Sequence, residues 1–151
     1  MRKGFTLIEL VLVIAILGVL SIGVATMVIN YKSSYIYTAS QKVRSDIEYA
    51  RSLATMKQGT VYGVFFNDST DQYTVYRTNI SNPVQDPLTK QDFLETFIKF
   101  PGVTITGGNY TVEFNKFGAP TTGGGGNVSI TDGTVTKIIR VIAGTGKVTI
   151  Q

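Results

Sequence analysis

Apolar residues are concentrated near the beginning of the chain, where residues 5–29 carry a single charge, on Glu9. About 20 consecutive apolar residues form a helix long enough to cross the hydrocarbon core of a membrane. Arg2 and Lys3 precede this run, and positive residues beside a membrane span are retained on the cytoplasmic side. The pattern therefore predicts one transmembrane helix over residues 5–29, with the bulk of the chain on the outer side of the membrane.

The helical pattern continues beyond the predicted span, over residues 30–58. Its apolar side chains recur in steps of three and four and define one face of a helix: Ile36, Ala39, Val43, Ile47, Ala50 and Ala54. Gly59 is a suitable stop signal. One helix over residues 5–58 is expected to be about 80 Å long, at about 1.5 Å per residue. We expect its second half to pack this stripe against a folded domain, and a coiled-coil seam is the alternative.

Beyond the predicted helix, the pattern changes to short apolar segments separated by turn residues. Residues 60–66 and 72–78 flank a turn at residues 67–71 and predict a β-hairpin. Two loops are predicted, at residues 79–90, which contain two prolines, and at residues 121–127, where four consecutive glycines indicate flexibility. Further strands are predicted at residues 103–106, 110–115, 127–131, 136–143 and 147–150.

These elements predict an α+β fold, in which a long N-terminal transmembrane-plus-stem α-helix packs on a C-terminal antiparallel β-sheet domain. The chain has 151 residues, which suits one modest domain and an anchor. Its formal net charge is +4 and no basic block stands out. The charge pattern therefore indicates neither a nucleic acid nor a lipid headgroup as a partner.

The chain contains neither cysteine nor histidine, and this narrows its chemistry. Without cysteine there is no disulfide and no thiol nucleophile, and without histidine the commonest general base and the commonest zinc ligand are missing. The aspartates of the predicted turns and loops do not have the spacing of a calcium-binding loop: Asp68, Asp71, Asp86 and Asp92. We therefore expect no enzyme, no cofactor and no metal site.

Glu9 does not suit an ordinary membrane anchor, because a carboxylate in hydrocarbon is costly unless it is paired, and such residues are functional by default. The alternative is that Glu9 stays hydrated near the lipid headgroups. The segment Lys3-Gly4-Phe5-Thr6-Leu7-Ile8-Glu9 resembles the processing site of type IV prepilins and type II secretion pseudopilins. In that family a short basic leader ends in glycine, and a glutamate lies four residues beyond the residue that follows it.

The resemblance implies roles for individual residues. Arg2 and Lys3 supply the leader charge, and a prepilin peptidase cuts between Gly4 and Phe5 and methylates the new amine of Phe5. The cut creates a cationic amine, with which Glu9 of a neighbouring subunit can form an ion pair in a packed bundle. A desolvated ion pair of this kind contributes register and specificity even where its net stabilisation is small.

The resemblance also completes the division of the chain into four segments. Residues 1–4 are the leader peptide, and residues 5–29 are the transmembrane half of the N-terminal helix. Residues 30–58 form the amphipathic stem helix, and residues 59–151 form the β-rich globular domain.

The stem and the strands resemble the GspH/FimT class of minor pilins and pseudopilins. The residues that carry this likeness are the stem end at residues 47–54, the hairpin at residues 61–66, the turn at residues 114–118 and the closing strand pair around residues 144–148. The resemblance implies a non-catalytic minor pseudopilin of a type II secretion system, held in the bacterial inner membrane and incorporated into a periplasmic pseudopilus. Its implied partners are other pilin or pseudopilin subunits, the prepilin peptidase and the inner-membrane assembly platform.

Two alternatives stay open. A FimT-like minor type IV pilin acts in pilus assembly or DNA uptake, and some members of that class bind DNA through a C-terminal Gly-Arg-x-Arg motif. Here the segment Gly146-Lys147-Val148-Thr149 replaces both arginines, so Lys147 is expected to be a weak DNA contact and nucleic acid is not the expected partner. The second alternative is a signal-anchored enzyme, which the absence of histidine and cysteine disfavours.

Overall fold

The computed structural model describes the backbone of residues 6–151 and the side chains of residues 6–21 and 34–151. The chain begins with one α-helix, α1 (Leu7–Met56), and continues as a series of short strands with one 3-10 turn at Phe97–Lys99. The strands are β1 (Tyr62–Asn67), β2 (Gln72–Arg77), β3 (Asn79–Pro83), β4 (Leu94–Thr96), β5 (Thr104–Thr106), β6 (Tyr110–Phe114), β7 (Pro120–Thr122), β8 (Asn127–Thr131), β9 (Thr136–Val141) and β10 (Val148–Ile150). The predicted α+β fold, a long helix packed on antiparallel strands, is confirmed.

The end of α1 lies two residues before the predicted end at residue 58. The Lys57 backbone N–H donates to the Leu53 carbonyl oxygen at 2.9 Å and closes the last turn. Gly59 follows with φ +91°, a left-handed conformation that glycine adopts without steric cost. The glycine therefore ends the helix for the reason that the sequence indicates.

The predicted apolar stripe of the stem is buried against the sheets, so it does not form a coiled-coil seam. Its six residues are at most 1% exposed, and they form one core with the inward-facing residues of the strands: Ile36, Ala39, Val43, Ile47, Ala50 and Ala54. Leu53, beside the stripe, is also buried, but Met56 is 75% exposed. The stem thus presents one face to the domain, and this face is buried as far as Ala54 in the last turn.

Two antiparallel sheets receive this stripe. The first has the strand order β3-β2-β1-β6-β7, with β4 paired to β2 beside β3, and the second has the order β10-β9-β8-β5. In the strands that pack on the helix, alternate residues are buried, such as Val64 and Phe66 in β1 and Ile139 and Val141 in β9. Burial of one face of each sheet therefore determines the strand register.

The predicted loop at residues 79–90 is only partly irregular, and this corrects the prediction. Residues 79–83 form β3, an edge strand that pairs with β2, and the Val84 backbone N–H donates to the Val75 carbonyl oxygen at 2.9 Å. Pro83 is tolerated there because an edge strand has one side on which no ladder hydrogen bond is needed. Of the two prolines in this segment, Pro83 therefore lies in an edge strand and Pro87 lies in a loop.

The four consecutive glycines do not form a flexible loop, which is a second correction. The Gly125 N–H donates to the Val141 carbonyl oxygen at 2.9 Å, and the Val141 N–H donates to the Gly126 carbonyl oxygen at 3.1 Å. Gly123 has φ +71°, and a Cβ there would overlap the Thr111 carbonyl oxygen. The run therefore connects the two sheets at close range, and glycine is used because the backbones approach too closely for a side chain.

Candidate assembly site

Glu9 lies in the first turn of α1 and closes the N-terminus of the helix together with Thr6. The backbone N–H and the hydroxyl of Thr6 both donate to Glu9 Oε2 at 2.9 Å, and the Glu9 N–H donates to Thr6 Oγ1 at 3.4 Å. Thr6 has the extended backbone of an N-cap residue, and the arrangement is a capping box. Sequence reasoning missed this cap, although the Thr-x-x-Glu spacing indicates it.

The carboxylate of Glu9 keeps one oxygen available. Both bonds from Thr6 end on Oε2, and among the residues that the structure describes Oε1 accepts none. The predicted ion-pair partner, the amine of Phe5, and the predicted leader residues Arg2, Lys3 and Gly4 lie outside the described residues. Glu9 therefore caps its own helix and still exposes an acceptor to a donor from another molecule.

The helix around Glu9 exposes an unusual amount of apolar surface. Its large apolar side chains between residues 7 and 20 are between 46% and 82% exposed: Leu7, Ile8, Leu10, Val11, Leu12, Val13, Ile14, Ile16, Leu17, Val19 and Leu20. Within the part of the chain whose side chains are described, no helix is both long and apolar enough to cross a membrane. A continuous apolar surface of this size indicates contact with lipid or with another protein.

A set of charged side chains, which we call the stem charge network, joins the stem helix to the first sheet. Lys42 Nζ lies 2.7 Å from Asp46 Oδ2 and 3.5 Å from Glu95 Oε1, and Lys99 Nζ lies 2.9 Å from Glu95 Oε2. The Tyr73 hydroxyl donates to Asp46 Oδ2. Because Asp46 and Tyr73 are only 5% and 3% exposed, the network connects α1, β2 and β4 in a region that excludes most water.

The pKa values of this network follow from burial and from the charges that face one another. Burial raises the pKa of Tyr73 well above its ordinary value, and the charge of Asp46 raises it further. Burial also raises the pKa of Asp46, against the opposing effects of Lys42 and Tyr73. Burial lowers the pKa of Lys42, but Asp46 and Glu95 outweigh it and the net direction is upward.

Arg51 joins the stem helix to two turns of the domain. Its Nε donates to the Gly118 carbonyl oxygen at 2.9 Å. Gly146 has φ +65°, and a Cβ there would overlap the same carbonyl oxygen. The stem end at residues 47–54 and the two turns that resemble the GspH/FimT class are therefore packed on one another around Arg51.

The remaining predicted residues lie apart from Glu9. Lys147 is exposed in the turn between β9 and β10, on the domain, whereas Glu9 lies before the part of α1 that packs on the sheets. Asp71 Oδ1 accepts from the Ile105 N–H at 2.7 Å and ties the turn between β1 and β2 to β5, and Asp86 Oδ1 accepts from the Leu88 N–H at 2.7 Å and orders its own loop. Among the described residues no group of side chains is suited to hold a metal ion.

The fold and the exposed apolar helix define a pilin-like class of protein. Residues 1–25 match the family model of the prokaryotic N-terminal methylation motif, and residues 39–146 match the model of the type II transport protein GspH. Because the second match spans more than half of the chain, the chain belongs to the GspH family of type II transport proteins. No curated protein matches the chain in sequence.

The fold is also similar to that of the type IV minor pilin FimU from Pseudomonas aeruginosa strain PAO1. In one crystal form FimU is 13% identical, with a TM-score of 0.52, over 76% of this chain and 91% of FimU. In a second form it is 15% identical, with a TM-score of 0.52, over 76% of this chain and 87% of FimU. At these identities the likeness establishes the fold alone.

The family matches and the fold together identify the chain as a minor pilin or pseudopilin of the type IV pilus and type II secretion superfamily. Members of this superfamily are pilin-like structural subunits that assemble with other pilin subunits. The methylation motif indicates a membrane-anchored component of a pilus or pseudopilus.

Proposed function

We propose that this chain is a non-catalytic minor pseudopilin that joins the periplasmic pseudopilus of a type II secretion system. The observation that carries the proposal is an exposed apolar helix with Glu9 in its first turn, continuous with a domain of the GspH family. In such a subunit, the second half of the helix packs on its own domain, and the exposed first half can pack against other subunits. No catalytic group is needed for such a role.

In this proposal the precursor is inserted in the bacterial inner membrane as a single-pass protein, with its N-terminus in the cytoplasm and its domain in the periplasm. Arg2 and Lys3 retain the leader inside. The prepilin peptidase cuts between Gly4 and Phe5 and methylates the amine of Phe5. The assembly platform then transfers the helix from lipid to the filament core, where neighbouring helices replace lipid against the exposed apolar side chains.

The capping box gives Glu9 a defined orientation for this transfer. Thr6 holds Oε2 from within the same subunit, so the carboxylate does not need to be ordered when a neighbour arrives. Oε1 can then accept from the Phe5 amine of a neighbouring subunit. Because that pair forms in an apolar bundle, leaving the carboxylate unpaired there is costly, and misplaced subunits are rejected.

Subunits with Glu9→Ala or Glu9→Gln are both expected to be cut and inserted normally but to enter filaments at about a tenth of the normal level or less. The reason is that the free-energy cost of leaving a buried ion pair unformed exceeds about 1.4 kcal/mol. Glutamine retains an oxygen for the Thr6 N–H and removes only the charge. The measurement is leader cleavage and membrane insertion on one hand, and recovery in sheared pseudopili on the other.

Glu48→Gln is the matched control, because Glu48 is an exposed residue of the same helix in an ion pair with Arg44 at 3.0 Å. It is expected to assemble as the unchanged protein does. Normal filament entry of Glu9→Gln with loss in Glu9→Ala would contradict the ion pair and leave the helix cap as the role of Glu9. Normal entry of both variants would contradict the proposed assembly site.

A second candidate is a minor type IV pilin that captures DNA, and one feature of the second sheet favours it. Arg140 and Thr149 are paired across β9 and β10, and Lys147 precedes Thr149 by two residues. Side chains two apart share a face, so Arg140 and Lys147 both project from the outer face of this hairpin, and both are exposed. Two cations supply few phosphate contacts, which is why this candidate ranks second.

The two candidates differ in DNA binding by the full chain in detergent. For a DNA-capturing pilin, affinity should fall with salt at a log–log slope of about −2, and Lys147→Glu should abolish it. For the proposed pseudopilin, no salt-dependent binding beyond that of a protein of similar charge is expected. Neighbouring genes for a secretion ATPase and a secretin, with or without competence genes, distinguish the two systems independently.

A further inference from the structure

A cleft of about 500 Å³ lies between the last turns of α1 and the segment that follows β3. Its inner wall includes Tyr62 and Leu53, which are 2% and 8% exposed. Its rim carries three exposed cations from three different elements: Lys57 at the end of α1, Arg77 at the end of β2 and Lys90 in the loop before β4. A volume of this size lies within the usual range for ligand sites in proteins.

The three cations have no acidic partner within the described residues. The ion pairs that the structure contains there join Lys42, Arg44 and Lys99 to their carboxylates. Like charges around one cleft repel one another, so all three cations favour the binding of an anionic ligand there.

One acid, Asp86, also lines the cleft, but it is already engaged. Its Oδ1 accepts from the Leu88 N–H at 2.7 Å and from the Thr89 N–H at 3.2 Å. These backbone bonds hold the pKa of Asp86 below its usual value. The carboxylate therefore orders the loop that carries Lys90, and the side chains of the cleft keep an excess of two positive charges.

The surroundings favour carboxylates over phosphate as the ligand. A phosphate site is commonly built from the backbone N–H groups at the N-terminus of a helix, but this cleft receives the C-terminus of α1 instead. Arg77 at the rim can pair with a carboxylate or with a phosphate through two parallel hydrogen bonds, so it does not distinguish the two. The apolar inner wall suits the aliphatic part of a peptide, and the amide side chains of Asn82 and Gln85 offer it hydrogen bonds.

We propose that this cleft docks an acidic peptide segment of a neighbouring subunit, whose carboxylates pair with Lys57, Arg77 and Lys90. The inference rests on the proposed function, since it assumes that other subunits lie beside this domain. It adds a second contact to the filament, between domains, that is separate from the contact made by the N-terminal helices.

The test uses the full chain in detergent and a fluorescein-labelled peptide with four glutamates spaced by alanines, followed by fluorescence anisotropy. Binding is expected to weaken with salt. The triple variant Lys57→Glu, Arg77→Glu and Lys90→Glu is expected to weaken it by about tenfold or more, since three modest ion pairs are each replaced by repulsion. Should the triple variant fail to fold, Arg77→Gln alone is expected to weaken binding by about threefold.

The matched control reverses the same number of charges elsewhere in the protein, at Arg44, Lys116 and Lys137, which have no part in either proposed binding site. An equal loss of peptide binding in the control would overturn the proposal, because it would show that overall charge and not the cleft attracts the peptide. Displacement of the peptide by inorganic phosphate, beyond the effect of chloride at the same ionic strength, would also overturn it and identify a phosphate site.

An assembly assay in cells separates this inference from the proposed function. If the unchanged chain enters pseudopili and the cleft variant enters poorly while the control enters normally, both stand. If the unchanged chain enters pseudopili and the cleft variant enters to the same extent as the control variant, the docking proposal is wrong and the proposed function is unaffected. If the unchanged chain does not enter pseudopili at all, the proposed function fails regardless of peptide binding.

Discussion

Gly123→Ala is expected to lower the free energy of unfolding by about 3 kcal/mol. Two costs combine at this position. The added Cβ would overlap the Thr111 carbonyl oxygen, which belongs to the backbone of β6 and cannot move without distorting the sheet. In addition, φ at Gly123 is +71°, a conformation that strains every residue with a Cβ. The measurement is urea denaturation of the full chain in detergent, followed by tyrosine fluorescence.

Gly133→Ala separates the two costs, because Gly133 has φ +86° but no heavy atom within 4 Å of the place that an added Cβ would occupy. Only the conformational cost of about 1 kcal/mol is expected there. Equal destabilisation by the two substitutions would show that the glycine run has room for a side chain. In that case the close packing described for the glycine run between the two sheets would be wrong.

Asp46→Ala is expected to lower the free energy of unfolding by about 3 kcal/mol, the second large effect. The substitution leaves the buried Tyr73 hydroxyl without its acceptor and takes from Lys42 the nearer of its two carboxylates. Lys42 retains Glu95 and is partly exposed, which places the expected cost at the lower end of the range for buried pairs. The same urea denaturation measures it.

The control for Asp46→Ala is Glu48→Ala, which removes an exposed carboxylate from the same helix two residues later. It is expected to cost no more than about 0.5 kcal/mol. Tyr73→Phe should cost about 1 kcal/mol, and its effect should be smaller when Asp46 is already alanine, since the two groups share one hydrogen bond. Strict additivity of Tyr73→Phe and Asp46→Ala would contradict that bond.

The apolar positions of the stem predict its buried face correctly because their signal is local. Steps of three and four place Ile36, Val43 and Ile47 on one side of any helix, whatever the helix packs against. Asp46 does not belong to this stripe, yet it is only 5% exposed. Asp46 is buried because Tyr73, 27 positions later, covers it and donates to it. No pattern within the stem carries that information.

The glycines also differ in whether the sequence alone predicts their role. Gly59 is predicted to be the stop signal of the helix, and α1 does end shortly before it. The run at residues 123–126 has the same composition as a flexible linker, yet it is held against β6 and β9 by close packing and hydrogen bonds. Glycine permits both flexibility and close approach, so composition alone does not distinguish them.

The sequence by itself determined the long helix, most strands of the domain and the superfamily, whereas the cut between Gly4 and Phe5 stays a prediction. These features depend on local spacing and on a short contiguous motif, and both can be recognised from the order of the residues alone. Only the tertiary structure decided how the strands divide between two sheets, which charges are buried together, and where three separate cations meet around one cleft. Those arrangements join residues far apart in the chain, and their energies depend on burial and distance, which exist only once the chain has folded.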